Sequence, residues 1–302
     1  MATSAAEQRM SRIAREPLRP FGPQRGIATG TVASVRDIWG ARELVGLLVR
    51  RELRARYKNS SLGFVWSLFK PIAQLAIYFV VIGQFLQLAR NIPDFAIFIF
   101  AGLTVWGLFN EVVAGGTGSI VANSGLVKKV YLPREVFPLS TVGAGLFNFG
   151  IQFVVLTLGT VIAGAFPAWA NLIYVPLGLV LVMTFSTALA VLLSALNVYL
   201  RDVQHLVEIV MLILFWASPI IYSYKFVTAH LGGGFLEELY LANPVTLAVL
   251  AFQRGMWVGG AEEPFPSDLG TRLVVATMVS MLLLWVAQRV FSRLEGNFAQ
   301  EL

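Results

Sequence analysis

The segment Arg50-Arg51-Glu52-Leu53-Arg54-Ala55-Arg56-Tyr57-Lys58 leads, across Asn59-Ser60-Ser61, into Leu62-Gly63-Phe64-Val65-Trp66-Ser67-Leu68-Phe69-Lys70-Pro71. A dense basic helix gives way to a long apolar span, with no cleavage signal between them. A signal peptide needs an apolar stretch of about 7–15 residues near the N-terminus, and residues 1–30 hold Ser, Arg, Pro and Gly instead. The junction therefore marks an integral membrane protein. It also predicts a surface helix just before the first crossing and an N-terminus on the positively charged side.

Composition agrees. Of 302 residues, 57% are hydrophobic and 13% charged, whereas a soluble domain carries about 25% charged residues. Mean hydropathy is +0.71. With no Cys, a disulfide, a thiolate nucleophile and a thiolate-bound metal are all excluded. His205 and His230 are far apart in sequence, which argues against a His metal site. Twelve of the 23 Lys and Arg residues precede residue 60. A basic arm can bind nucleic acid, but one abutting an apolar span points to anionic lipid or a cytoplasmic partner instead. Residues 1–35 are expected to form a mobile cytoplasmic extension, too poor in apolar residues to bury a core.

A spanning helix needs about 20 apolar residues. Six segments qualify: 62–88, 95–122, 141–165, 172–198, 205–224 and 271–291. With the N-terminus inside, the inner side holds the twelve basic residues of the arm plus Lys128, Lys129, Arg134, Arg201, Arg289 and Arg293. The outer side holds only Arg90, Lys225, Arg254 and Arg272. That asymmetry sets both termini in the cytoplasm. The apolar run Leu239–Phe252, broken by Asn243-Pro244, is short for a crossing and predicts re-entrant or interfacial helices on the outer face. The expected fold is thus all-α and membrane-integral. It has six transmembrane helices, an N-terminal amphipathic interface helix, and outer-face re-entrant helices between spans five and six. No inverted pair of short broken spans marks a secondary transporter.

Four segments are candidates for function. In the helix at 36–58, Arg36, Glu43, Arg50, Arg54 and Lys58 share one face, and Ile38, Ala41, Val45, Leu48, Val49 and Leu53 the other. Arg42, Glu52 and Arg56 interrupt the apolar side. Such a helix lies at the membrane interface, as a lipid anchor or also as a docking face presenting Arg50, Arg51, Arg54 and Arg56. The inner loop Asn123–Pro138 mixes apolar and charged residues, which implies a contact, either with a partner or with the chain's own helices. Lys70 and Glu111 lie inside spans at depths differing by about 5 Å. Intramembrane charges tend to pair, so a Lys70–Glu111 pair is expected, with snorkelling of Lys70 as the alternative. Aromatic residues crowd spans one, two and five. They can stack on sugar rings or simply face lipid.

No G-x-x-x-x-G-K-[ST], H-E-x-x-H or G-x-S-x-G occurs, so the sequence has no phosphate-cradling loop and no recognisable active site.

These residues resemble a known family, the membrane subunits of ABC-2 type polysaccharide exporters, which are permeases for O-antigen, teichoic-acid and related cell-envelope glycans. The resemblance covers nearly the whole chain after residue 35. It rests jointly on Arg51–Gly63, Phe69-Lys70-Pro71, Ala122–Glu135, Asn197–Asp202, Trp216–Tyr222 and Asn243-Pro244. It implies a homodimer in a bacterial inner membrane, with two copies of a separate ATPase subunit that holds ATP and Mg, and no cofactor or catalysis on this chain. It implies a coupling helix within 124–138, contacting the ATPase through Lys128, Lys129, Tyr131, Arg134 and Glu135, and outer gate helices at 225–260. It also implies a lipid-linked cargo, an undecaprenyl-diphosphate glycan moved outward between spans one and five of the two subunits. Phe69, Tyr78, Trp106, Phe109, Trp216 and Tyr222 are the channel-lining candidates. Replacing Arg134 and Glu135 together is expected to uncouple transport without unfolding the spans. The 1–35 extension is longer than the family pattern. An excess of Arg over Lys, 18 to 5, points to a GC-rich genome and tilts the cargo toward a galactan. The rival within the same architecture is a drug or small-lipid exporter. A membrane glycosyltransferase would need an outer carboxylate, for which Glu237, Glu238, Glu262, Glu263 and Asp268 are present without a motif.

Overall fold

The computed structural model describes residues 27–57, 65–90, 92–129, 132–232 and 234–302, and no strand occurs among them. The described chain begins with two helices, α1 (Ile27–Gly40) and α2 (Arg42–Tyr57). The expected interface helix at 36–58 is therefore broken at Ala41. Helical backbone also reaches back to Ile27, inside the segment expected to be a mobile extension; residues 1–26 and Lys58 lie outside the described residues.

The first span, α3 (Val65–Tyr78), continues as a wider π-wound stretch over Phe79–Phe85. Pro71 inside α3 removes one backbone donor, a defect that membrane helices absorb. Next come α4 (Phe95–Ala122), the short α5 (Ser124–Lys129), α6 (Val136–Ile162) and α7 (Tyr174–Tyr199). Pro138 and Pro176 sit in the first turns of α6 and α7, where a missing N–H costs nothing. α8 (Val203–Trp216) precedes three helices, α9 (Tyr224–Leu231), α10 (Phe235–Leu241) and α11 (Pro244–Met256). The last long helix is α12 (Leu269–Leu294), and α13 (Phe298–Glu301) ends the chain.

Among the described residues five helices are long and apolar enough to cross a membrane: α3 with its π extension, α4, α6, α7 and α12. The expected fifth span, 205–224, is not one helix. α8 has 14 residues, about 21 Å at 1.5 Å per residue, against a hydrocarbon core of about 30 Å. It stops where Ala217-Ser218-Pro219 turns the chain. α10 and α11 pass the length and hydropathy test only as a pair, bent by 78° at Ala242-Asn243.

α4 is the hub. Phe98, Ile99, Ala101, Val105, Phe109, Val112 and Val113 are all fully buried. α6, α7, α8 and α11 surround it, and α12 packs along α7. Small residues permit the closest approach, as in membrane bundles generally: a Cβ added at Gly116 of α4 would sit 2.5 Å from Ala190 Cβ of α7. α11 is almost wholly buried between α4 and α7. By contrast α3 only grazes α4 and α6, and most of its apolar side chains are exposed, as are those of α8 and α12.

Candidate functional site

The bundle has two chemically distinct ends. The end carrying α2, α5 and both described termini has its own apolar cluster, built from Leu48, Ile120, Val127, Val136, Phe137, Val198, Phe291 and Phe298. α2 lies along α6. Leu48 is buried in this cluster, Ala41 and Val45 pack beside it, and Val49 lies against Gly143, where a Cβ would come within 2.6 Å. Four residues of the apolar face read from sequence thus meet α6.

The opposite face of α2 is basic. Arg50, Arg51, Arg54 and Arg56 are exposed. Two of them reach into the bundle. Arg51 donates to Asn123 Oδ1 at the end of α4. Arg56 donates to Glu111 Oε1 in the middle of α4 and to Glu52 Oε1 at 3.4 Å. Asn148 of α6 adds two bonds to the Glu111 carboxylate, at 2.7 and 3.0 Å. The expected Lys70–Glu111 pair is therefore not formed. Lys70 is exposed and has no ion pair among the described residues. The reason is packing: α2 lies along α6, beside the Asn148 that shares the Glu111 carboxylate, and its long guanidinium side chain reaches across to α4.

α5 buries Val127 and leaves Lys128 and Lys129 exposed. Tyr131 lies outside the described residues. Arg134 is half-buried and Glu135 buried, and both also contact the chain's own elements. The Arg134 guanidinium lies 5.6 Å over the Phe298 ring, and Glu135 is 5% exposed. Burial pushes the Glu135 carboxyl above the ordinary carboxylate range, outweighing its hydrogen bonds to backbone and to Gln288. Both residues brace the C-terminus against the start of α6. Replacing them together is therefore expected to loosen this end in addition to any effect on coupling. Sequence reading missed the C-terminal brace: Phe298 is fully buried, Phe291 packs edge-on to it at 5.5 Å, and the Tyr199 hydroxyl donates to Leu294 O at 2.7 Å. The available signal was one aromatic residue in an otherwise polar tail, Glu295–Gln300.

At the other end the chain leaves α8 through a tight turn in which the Tyr222 hydroxyl donates to Trp216 O at 2.8 Å. Three polar ties hold the following helices. The Tyr224 hydroxyl donates to Glu237. Lys225 Nζ and Ser223 Oγ meet Glu263, at 3.4 and 3.2 Å. Arg272 binds Glu238 through two nitrogens, at 2.7 and 2.9 Å, and Asp268 through Nε at 2.8 Å. The arginine holds the Glu238 and Asp268 carboxyls below their ordinary range. Gln253 of the buried α11 donates to Pro219 O at 2.7 Å, tying it to the break after α8.

The six aromatic channel candidates separate into two groups. Phe69 and Trp216 are more than half exposed. Tyr78 and Tyr222 are half-buried, Tyr78 against Phe215 at 6.3 Å. Trp106 and Phe109 are core residues: Trp106 is 9% exposed and Phe109, stacked on Phe185 at 5.7 Å, not at all. Those two cannot line a path. α4 is apolar all round and central, so its aromatic residues carry no mark of a special face. Among the described residues no three His, Asp or Glu side chains converge to hold a metal ion.

The family model for ABC-2 type transporters matches residues 43–257, from the first turn of α2 to the end of α11. An O-antigen export system permease protein RfbA of Myxococcus xanthus is 30% identical over 268 residues, 89% of this chain and 98% of that protein. One of the same description from Klebsiella pneumoniae is 24% identical over 258 residues, 85% of this chain and 94% of its own. The polysialic acid transport protein KpsM of Escherichia coli is 25% identical over 184 residues, 59% of this chain and 69% of its own. The match runs through the interface helix, the hub and the bent pair alike, and on that extent the chain belongs to the ABC-2 type transporter family.

Proposed function

We propose that this chain is the membrane permease of an ATP-driven polysaccharide exporter. In this reading two copies pair through α3 and α8. Two ATPase subunits dock on the basic end, and an undecaprenyl-diphosphate-linked glycan of the cell envelope passes from the cytoplasmic to the outer face. The observation that carries it is the 30% identity to an O-antigen export permease across 98% of that protein. The positive-inside asymmetry supports cytoplasmic termini. On that orientation, α5 presents Lys128 and Lys129 to the ATPase and is continuous with α4 through Asn123, the residue Arg51 holds. Movement of α5 is thereby delivered to the hub and to α2 together. Phe69 of α3 and Trp216 of α8 offer exposed ring faces to a sugar chain.

The test is co-purification with the product of a neighbouring ATPase gene, followed by ATP turnover in nanodiscs with and without lipid-linked glycan. A stable complex whose turnover changes with glycan is expected. If the chain purifies alone, and its deletion leaves surface glycan intact, the reading is overturned. Stimulation by hydrophobic drugs but not by glycan favours the drug-exporter alternative.

A further inference from the structure

Four cations lie at the end opposite the termini: Arg90, Lys225, Arg254 and Arg272. Lys225 is paired with Glu263, and Arg272 with Glu238 and Asp268. Arg90 is exposed. Arg254 is different. It is half-buried in the last turn of α11, its guanidinium packed 5.0 Å over the Phe265 ring, and it has no ion pair among the described residues.

A guanidinium can only donate. Partly withdrawn from water and with no protein acceptor among the described residues, it is short of a partner. Beside it opens a cavity of about 80 Å³, lined by Arg254, Asn171, Trp257, Gly260, Ala168 and Phe265. Measured the same way, one water needs about 10–15 Å³, so the space is roomy enough for one oxyanion group. Its polar equipment is the Arg254 fork and the Asn171 amide. The Trp257 indole is already committed to Pro93 O, at 2.6 Å.

The surroundings indicate where that oxyanion comes from. Trp169 and Phe166, beside Ala168 in the loop between α6 and α7, are 90% and 64% exposed. Exposed Trp and Phe flanking an arginine are typical of the headgroup level of a bilayer. A guanidinium that packs over a ring and lines a cavity carries the donor fork suited to two-pronged binding of a phosphate. We infer that the Arg254 cavity binds the phosphate of an anionic phospholipid in the leaflet at that end, with Trp169 and Phe166 against its glycerol and upper acyl region. This assignment does not depend on the transported cargo.

The experiment uses the full chain in nanodiscs of mixed phosphatidylglycerol and phosphatidylcholine, gently extracted and weighed by native mass spectrometry. The wild type is expected to retain one more phosphatidylglycerol per protomer than Arg254→Gln. Arg90→Gln is expected to match the wild type, and Arg254→Lys to fall between, because an ammonium keeps the charge and loses the fork. Unfolding midpoints in pure phosphatidylcholine check that each variant is folded. Arg254→Lys serves as the test variant if Arg254→Gln is not. Equal phosphatidylglycerol retention by the wild type and the Arg254 variants overturns the proposal. A parallel arm adds inorganic phosphate in pure phosphatidylcholine. A midpoint that rises for the wild type alone, with no lipid preference, assigns the site to a soluble oxyanion and overturns the lipid.

Discussion

Glu111 shows what one residue's environment dictates. A carboxylate in an apolar span needs a cation or an escape to water. Sequence makes that need legible but not the donor, because Arg56 is 55 positions away and reaches Glu111 only through the way α2 lies across the bundle. Removing one partner strips the other of its opposite charge across the bundle. The pair is partly exposed, at 37% and 19% for the two side chains, so the cost lies between surface and buried pairs, about 1–3 kcal/mol. Arg56→Ala and Glu111→Ala are each expected to lower the unfolding midpoint in nanodiscs. The Arg56→Glu/Glu111→Arg exchange is expected to recover part of the loss, and Lys70→Gln to change nothing. A Lys70 effect as large as that of Arg56 would return the pairing to Lys70. Glu135 makes a pH prediction. Its folded carboxyl titrates above its ordinary value of 4.5 because burial disfavours the anion. The unfolded chain therefore releases this proton first. Stability falls as pH rises from 4.5 through the folded value, and is regained on acidification. Glu135→Gln, which keeps the shape, is expected to make that fall shallower. An unchanged slope in melts across pH 4.5–8 assigns the dependence to other groups.

Among the elements, hydropathy located α4, α6, α7 and α12 to within a few residues, because length and apolar content suffice for a long span. It failed at 205–224, where composition is continuous but Ser218-Pro219 breaks the backbone and Tyr222 folds back onto Trp216. It also could not tell a central helix from a lipid-facing one, which is why Trp106 and Phe109 were read as channel residues. The contact of α4 with α7 depends on a bare backbone at Gly116. Gly116→Ala is expected to cost about 1–3 kcal/mol by overpacking against Ala190, read as a lower midpoint, whereas Gly150→Ala, inside α6 with nothing within 4 Å of the added carbon, is expected to leave the midpoint unchanged or slightly raised. α5 supplies the contrast with Arg134 and Glu135. Lys128→Glu/Lys129→Glu is expected to reduce co-purification of the ATPase severalfold and to leave the melt unchanged. A destabilised permease that still holds its partner would mean the lysines act within the bundle.

For the whole molecule, the charge asymmetry predicts which side each end faces. The absence of Cys makes that directly measurable. Single cysteines at Gly125 and Glu262, both exposed and at opposite ends, are expected to react differently with a membrane-impermeant maleimide added to intact cells: Glu262→Cys is labelled, Gly125→Cys only after lysis. The reverse pattern inverts the topology. The shortness of α8 also has a consequence for the surrounding bilayer. A helix about 21 Å long falls about 9 Å short of a core of about 30 Å, and beside so short a hydrophobic stretch a bilayer thins; in the proposed pair of copies that thinning falls at the edges of their seam. In that reading the oil beside α8 is thinner by up to about 9 Å. For a hydroxyl-covered polymer the barrier grows with the thickness of hydrocarbon crossed, so a short helix lowers it at one place and leaves the rest of the membrane sealed.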